Sequence, residues 1–186
     1  ESGNRLLVLQ YVLHNAAVSS ITYIFPLWVG DELGWSAREV GIVFGIQGAI
    51  MVVLQVGVMG PATRVFGELP FLRAAVGCFF TGLLLAVFAS AMPAMVGSVF
   101  LAMSGATLCM PLLNTLTTHR TPTQYRGRML GTTSAASSWG RVVGPLLAGL
   151  NLALFGYSGA WFGVCLLVSF YFGWAVRENR VGRAAT

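Results

Sequence analysis

The chain has 186 residues, of which 56% are hydrophobic and only 9% are charged, and its mean hydropathy is +0.75. Soluble domains carry about 25% charged residues, so this composition excludes an ordinary soluble domain and indicates a membrane protein. The net charge of +5 includes 11 arginines and no lysine, and most of these arginines stand between apolar runs. In a membrane protein that distribution indicates topology rather than binding to nucleic acid.

The apolar runs predict six transmembrane helices. A bilayer core about 30 Å thick needs about 20 apolar residues per helix. The predicted spans, numbered 1 to 6, are residues 6–29, 37–59, 71–91, 94–117, 129–154 and 161–176. Polar segments separate or follow them: a turn at 30–36, a loop at 60–70, a basic loop at 118–128, a tight turn at 156–159 and a tail at 177–186.

The arginines predict the orientation of these spans. Nine of them fall on one side of the predicted topology, and only Arg38 falls on the other. By the positive-inside rule the side with nine arginines is cytoplasmic, so both termini should lie in the cytoplasm. The nine are Arg5, Arg64, Arg73, Arg120, Arg126, Arg128, Arg177, Arg180 and Arg183.

The first residue and the cysteines add two expectations. The sequence begins at Glu1 without a methionine or a signal peptide, which predicts a processed end or an internal boundary of something longer. Cys78, Cys109 and Cys165 lie in separate apolar runs without metal-ligand spacing. They are interpreted as small packing residues, and neither a metal nor a cofactor is expected.

Near Met92 the six spans divide into two groups of three. An odd number of spans per group gives the two groups opposite orientations, as in inverted-repeat transporters; no residue-level repeat is visible.

The spans also differ in polarity. Spans 1, 2, 4 and 5 carry most of the polar residues, whereas spans 3 and 6 are almost bare. Because polar side chains in a membrane face protein or water, spans 1, 2, 4 and 5 should surround a cavity, with spans 3 and 6 outside it.

Eight polar residues are candidates for lining that cavity: His14, Asn15, Gln47, Gln55, Asn114, Ser134, Ser138 and Arg141. Each of the uncharged ones could equally form a hydrogen bond between helices. Arg141 lies about 18 Å into span 5, where an arginine costs about 2.5 to 3.5 kcal/mol unless it has a partner or water. No acidic residue is predicted at that depth. The partner is then an anionic substrate group, an acid outside this chain, or backbone carbonyls in a purely structural tie.

The loop after span 2 resembles a signature of the major facilitator superfamily of transporters. Residues 60–68 read GPATRVFGE, which looks like the cytoplasmic loop of that family, with glycines at Gly60 and Gly67. Arg64 stands where the family prefers aspartate. The signature implies a conformational latch between helices.

A second stretch, Pro111 to Gly149, is similar to the tenth and eleventh helices of the drug:proton antiporter branch of the same family. In that branch a proline-kinked helix, an Arg-Gly and a Gly-Pro recur. Here they are Pro111, Arg126-Gly127 and Gly144-Pro145. Small residues of this kind let helix backbones approach closely in lipid.

The resemblance covers nearly the whole chain and implies an all-α membrane protein: six transmembrane helices as two inverted three-helix repeats, one half of a major facilitator fold. A transporter of this family has two such halves, with the substrate between them. The resemblance therefore implies a lipid bilayer, a small-molecule substrate and a second six-helix half, either an N-terminal half or a second copy. A bacterial inner membrane is the expected location, and no nucleic acid is expected.

Two functional hypotheses follow. The first is secondary transport of a small organic solute, such as a drug-like efflux substrate, by alternating access. The alternative is a non-transporting membrane subunit on the same scaffold that packs against or assembles another complex. With no acidic residue inside a span, a carboxylate that couples transport to protons would have to lie in the other half.

An enzyme is not expected. Residues 156–159 match the Gly-x-Ser-Gly of six-helix rhomboid proteases, but that serine needs a histidine on a later helix for activation. No histidine follows His119, and the sequence shows no nucleotide-binding loop or paired carboxylates.

Overall fold

The computed structural model describes the backbone of residues 2–89 and 91–184 and the side chains of residues 5–89 and 91–177. In chain order the helices are α1 (Ser2–Leu33), α2 (Ala37–Val53), a π-helical turn (Leu54–Val58), α3 (Met59–Phe66), α4 (Glu68–Phe88), α5 (Met92–Arg120), a short 3-10 turn (Thr123–Tyr125) and α6 (Arg126–Ala184). Among the described residues, five helices are long and apolar enough to cross a membrane. The all-helical membrane class predicted from composition is therefore confirmed.

The last of these five, α6, is divided by Gly156, whose φ of 67° and ψ of −167° are not helical. A Cβ built on Gly163 would lie 3.1 Å from the side-chain nitrogen of Asn151. Residues twelve apart on one continuous helix would be about 18 Å apart, so the chain reverses at Gly156. We call residues 126–155 the first arm and residues 157–184 the second arm.

The predicted loop at 60–70 is wrong in extent, because the chain stays helical to Phe66. α2 continues through the π-helical turn into α3, so that residues 37–66 form one long helix, here called the second helix. Only Gly67 separates this helix from α4, and residues with a Cβ rarely adopt its backbone φ of 80°. The resulting connection is too short to be a polar loop of eleven residues.

Glycines set the pairing of the packed helices. A Cβ on Gly140 would lie 2.5 Å from the carbonyl oxygen of Val12, and one on Gly144 would meet the carbonyl of Ala16. Because the two residue numbers rise together, α1 and the first arm run parallel at backbone contact. A Cβ on Gly105 would lie 2.5 Å from the carbonyl oxygen of Ala75, and one on Gly82 would meet the backbone nitrogen of Ala102. Here one residue number rises as the other falls, so α4 and α5 are antiparallel.

Burial is uneven among the helices. α4 and the second arm, predicted to lie outside the cavity, supply core residues, among them Phe79 and Leu83 from α4 and Trp161 and Val168 from the second arm. Neither contributes a residue to the polar cavity described below. In the second helix Gln47 is the sole buried residue. The apolar packing of this chain therefore joins α1, α4, α5 and α6 and leaves the second helix at the surface.

The arginines gather at one end of the bundle, where α1, α4 and the first arm begin and α3, α5 and the second arm end. His119 Nδ1 lies 3.2 Å from a carboxylate oxygen of Glu68, and Arg73 Nε donates to the carbonyl of Ala175 at 3.2 Å. We call this the arginine-rich end; its described members are Arg5, Arg64, Arg73, Arg120, Arg126, Arg128 and Arg177. The side chains of Arg180 and Arg183 lie outside the described residues.

Candidate functional site: a polar cavity

A polar cavity of about 390 Å³ lies between α1, α5 and the first arm. Its position follows from the glycines, since α1 and the first arm touch most closely at Gly140 and Gly144. The cavity occupies the space between that contact and the arginine-rich end. Its lining residues are Tyr11, Met110, Asn114, Leu130, Thr133, Ser134, Ser137 and Arg141.

Tyr11 connects α1 to α5 at one wall of the cavity. Its phenol donates to Asn114 Oδ1 at 2.9 Å, and its oxygen lies 3.0 Å from the hydroxyl of Thr117. Since a phenol has one hydrogen to donate, Thr117 is the donor in the second bond. Asn114 is exposed and lines the cavity.

Arg141 lines the cavity and contacts Asn15, which lies one turn after Tyr11 on α1. The Asn15 amide donates to the carbonyl of Tyr11 at 2.9 Å and lies 3.9 Å from the sulfur of Met110. Its oxygen accepts a bond from Arg141 Nε at 3.4 Å, which is longer than the usual 2.7 to 3.2 Å. Asn15 is therefore held on both sides, and it orients the guanidinium by a weak contact.

Arg141 has most of its hydrogen-bonding capacity left over. A guanidinium offers five N–H donors, and Nε alone is bonded in the structure described. Within the described part of the chain, no carboxylate forms an ion pair with Arg141. The side chain is exposed. A cation at this depth without a charged partner can bind an anionic group or an acid supplied from outside the chain.

Hydroxyl groups of the first arm also line the cavity. Ser137 is 3% exposed, and its hydroxyl has no partner within the described residues. Thr133 bonds back to the carbonyl of Leu130 at 3.0 Å, and Ser134 is exposed toward the cavity. Because unpaired buried polar groups cost free energy, the Ser137 hydroxyl keeps unused hydrogen-bonding capacity beside the cavity.

The predicted candidates divide into two sets. Asn114, Ser134 and Arg141 line the cavity, and Asn15 touches it through Arg141. Ser138 is exposed one turn further along the first arm and bonds to the carbonyl of Ser134.

The remaining candidates lie elsewhere. His14 is 4% exposed and packs against the rings of Phe79 and Tyr171, with centroids 5.9 and 6.0 Å away. Gln47 is buried against the bundle, and neither of its side-chain polar atoms has a partner among the described residues. Gln55 is exposed in the π-helical turn. These three residues are not gathered with the cavity set.

Tyr11 was not selected as a site residue from the sequence, although the pattern contains it. It lies four residues before Asn15, one helical turn away, so it shares a face with that residue. Thr133 and Ser137 likewise share a face of the first arm with Gly140 and Gly144. Selecting residues by the helix face they share, as well as by their polarity, would have found all three.

The motif residues have structural roles of their own. Pro111 lies inside α5, where its carbonyl accepts a bond from the Thr115 hydroxyl at 3.0 Å. Arg126 Nε donates to the carbonyl of Thr121 at 3.3 Å and closes the basic loop. Gly127 and Gly60 lie in open space, Arg64 is exposed, and Pro145 follows the close contact at Gly144. The signature around residues 60–68 is thus a surface feature of this chain.

Long apolar helices that pack through glycines around a polar cavity define an integral membrane protein. The family model of the Major Facilitator Superfamily matches residues 7–185. The chain belongs to this superfamily, which confirms the resemblance found in the motifs.

Two similar proteins refine this placement. The chain is 30% identical over 128 residues to the class C tetracycline resistance protein of Escherichia coli; the match covers 65% of this chain and 31% of that protein. In fold it resembles the human organic anion transporter MFSD10 (TETRAN), with a TM-score of 0.84 and 22% identity. That match covers 94% of this chain and 41% of the transporter, so the chain spans less than half the length of either protein.

Proposed function

We propose that this chain is the C-terminal half of a secondary transporter that moves a small organic solute across a membrane by alternating access. In this proposal the two arms of α6 are the fifth and sixth spans, and the six spans form two inverted three-helix repeats. The bilayer is a bacterial inner membrane, and the activity is transport without an enzymatic reaction. The lengths of the similar proteins and the surface position of the second helix support a missing second half.

Arg141 is the observation that carries the proposal. It stands in a polar cavity with hydroxyl and amide neighbours and with no ion-pair partner in the described part of the chain. An unpaired charge within a membrane protein usually marks a pathway for substrate or ions. The guanidinium would bind an anionic group of the solute, and Asn114, Ser134 and Ser137 would supply neutral hydrogen bonds around it.

The test uses the complete protein that contains this chain, reconstituted in liposomes, with tetracycline as the first solute because of the similarity to a tetracycline resistance protein. Arg141→Ala should abolish solute flux while the protein keeps its elution volume in detergent. Arg141→Lys keeps the charge but not the planar fork, and it should retain partial flux. Arg38→Ala, an exposed arginine at the opposite end, is the matched control and should transport normally.

Normal flux in Arg141→Ala would refute the role of Arg141. If tetracycline is not transported, a panel of organic anions and cations of similar size replaces it. A protein that inserts and folds but moves none of these solutes would instead favour the non-transporting membrane subunit.

The cytoplasmic side of the membrane is assigned to the arginine-rich end, with both termini there, because of the positive-inside rule. Thr123→Cys, in the loop between α5 and the first arm, should resist an impermeant maleimide applied to intact cells. Glu32→Cys, at the opposite end of α1, should react under the same conditions. The reverse pattern would invert the topology.

A further inference from the structure

A second hollow of about 600 Å³ lies outside the polar cavity, between the start of α1 and the end of the second arm. Leu6, Leu9, Leu13 and Phe170 supply most of its walls. Phe170 is 70% exposed and Leu6 is 49% exposed, so this groove is open on its outer side. We call it the apolar groove.

The end of the apolar groove nearest the arginine-rich end is polar. Arg177 stands at its mouth with an exposed side chain. About one turn deeper lie Gln10, 2% exposed, and Trp174, 9% exposed. Within the described residues, neither Gln10 Oε1 nor the indole N–H of Trp174 has a hydrogen-bond partner. Most buried polar groups in proteins are paired, so the unpaired indole N–H points to an acceptor that the chain itself does not supply.

The order of groups along the second arm is the order of groups in a phospholipid. Arg177 matches the phosphate, Trp174 matches the glycerol and ester region, and Phe170, with Leu13 of α1, matches an acyl chain. From Arg177 to Phe170 the second arm rises about 10 Å. One leaflet of the hydrocarbon core is about 15 Å thick, half of about 30 Å, so the whole groove fits within one leaflet.

We propose that the apolar groove binds one anionic phospholipid from the leaflet at the arginine-rich end. The guanidinium of Arg177 pairs with the phosphate, because its planar N–H groups can form two parallel hydrogen bonds to phosphate oxygens. The indole N–H of Trp174 donates to a phosphate or ester oxygen. This site is separate from the polar cavity, and it does not depend on the transported solute.

The test measures quenching of tryptophan fluorescence by phosphatidylglycerol with brominated acyl chains, added to the complete protein in a mild detergent. The groove contains one of the five tryptophans of this chain. Quenching should saturate, and Trp174→Phe should remove the saturable part. Arg177→Ala should raise the half-saturating lipid concentration about fivefold, the effect of one cation at a membrane surface.

Arg64→Ala is the matched control, because Arg64 is exposed at the same end but does not line the groove. It should leave the titration unchanged, and brominated phosphatidylcholine should bind both wild type and control as weakly as phosphatidylglycerol binds Arg177→Ala. Equal titrations for Arg177→Ala and Arg64→Ala would overturn the proposal. So would an unaltered saturable signal in Trp174→Phe, or full displacement of the lipid by inorganic phosphate, which would indicate a site for a free anion.

Discussion

The second helix and α5 have nearly the same length, 30 and 29 residues, and both are apolar enough to cross a membrane. In the structure, 61% of the most apolar stretch of α5 is buried, against 6% for the second helix. Apolarity alone therefore predicts that a helix enters the membrane, but it does not predict which neighbours the helix has. In lipid, close backbone packing and polar contacts decide association, and α5 has both.

The largest effect expected from this difference is on glycine substitutions. Gly105→Ala would place a Cβ 2.5 Å from the backbone of Ala75 and Phe79, and the helices α4 and α5 would have to separate. Forced shifts of this kind cost about 1 to 3 kcal/mol or more, so the thermal unfolding midpoint in detergent should fall strongly.

Gly45→Ala in the second helix is the matched control. A Cβ there meets nothing within 4 Å, and the same is true at Gly41. Alanine is a better helix former than glycine by about 1 kcal/mol, so the isolated chain should be unchanged or slightly stabilised. Equal destabilisation by the two substitutions would contradict the difference between the helices.

A second test asks what covers the second helix. Val56 is 81% exposed in this chain. In a Cys78→Ala background, which removes the exposed native thiol, Val56→Cys should react rapidly with a membrane-permeant maleimide in the isolated chain. It should react much more slowly in the complete protein if the second half packs there. Equal rates in both would show that lipid alone covers this face.

The smallest effect concerns the polar contacts between α1 and α5. Tyr11→Phe removes the bonds to Asn114 and Thr117, and a side-chain hydrogen bond between membrane helices contributes only about 0.6 kcal/mol on average. The variant should unfold at a slightly lower temperature and should keep its fold. Gln55→Leu, on the exposed side of the second helix, should leave the midpoint of the isolated chain unchanged. A larger fall in the unfolding midpoint for Gln55→Leu than for Tyr11→Phe would contradict the difference in packing between the second helix and α5.

The sequence predicted much of the fold because the signals for it are local. The apolar runs located the long helices, and the motifs at Pro111, Arg126-Gly127 and Gly144-Pro145 pointed to the correct superfamily. The loop after the second helix was predicted too long because Gly60 and Pro61 resemble loop residues. The π-helical turn before them keeps the chain helical instead. Gly67, with its positive φ, is the real break.

The candidate site was predicted less completely. Asn114, Ser134 and Arg141 were selected for polarity within a span, and the structure places them around one cavity. His14 was selected on the same criterion, yet its ring packs between Phe79 and Tyr171. Polarity shows that a side chain avoids lipid, but the direction in which it points depends on how its helix is rotated against its neighbours.

By itself the sequence determined that this chain enters a membrane, where the long apolar helices lie and which family it resembles, because transfer of apolar groups into lipid and the chemistry of glycine and proline act locally. The tertiary structure alone decided which helices are buried, that the chain reverses at Gly156, and that Tyr11, Asn114 and Arg141 share a cavity. These depend on backbone contacts such as those at Gly140 and Gly105, which join residues far apart in sequence. No local pattern specifies such contacts, because each requires two particular helix faces to meet.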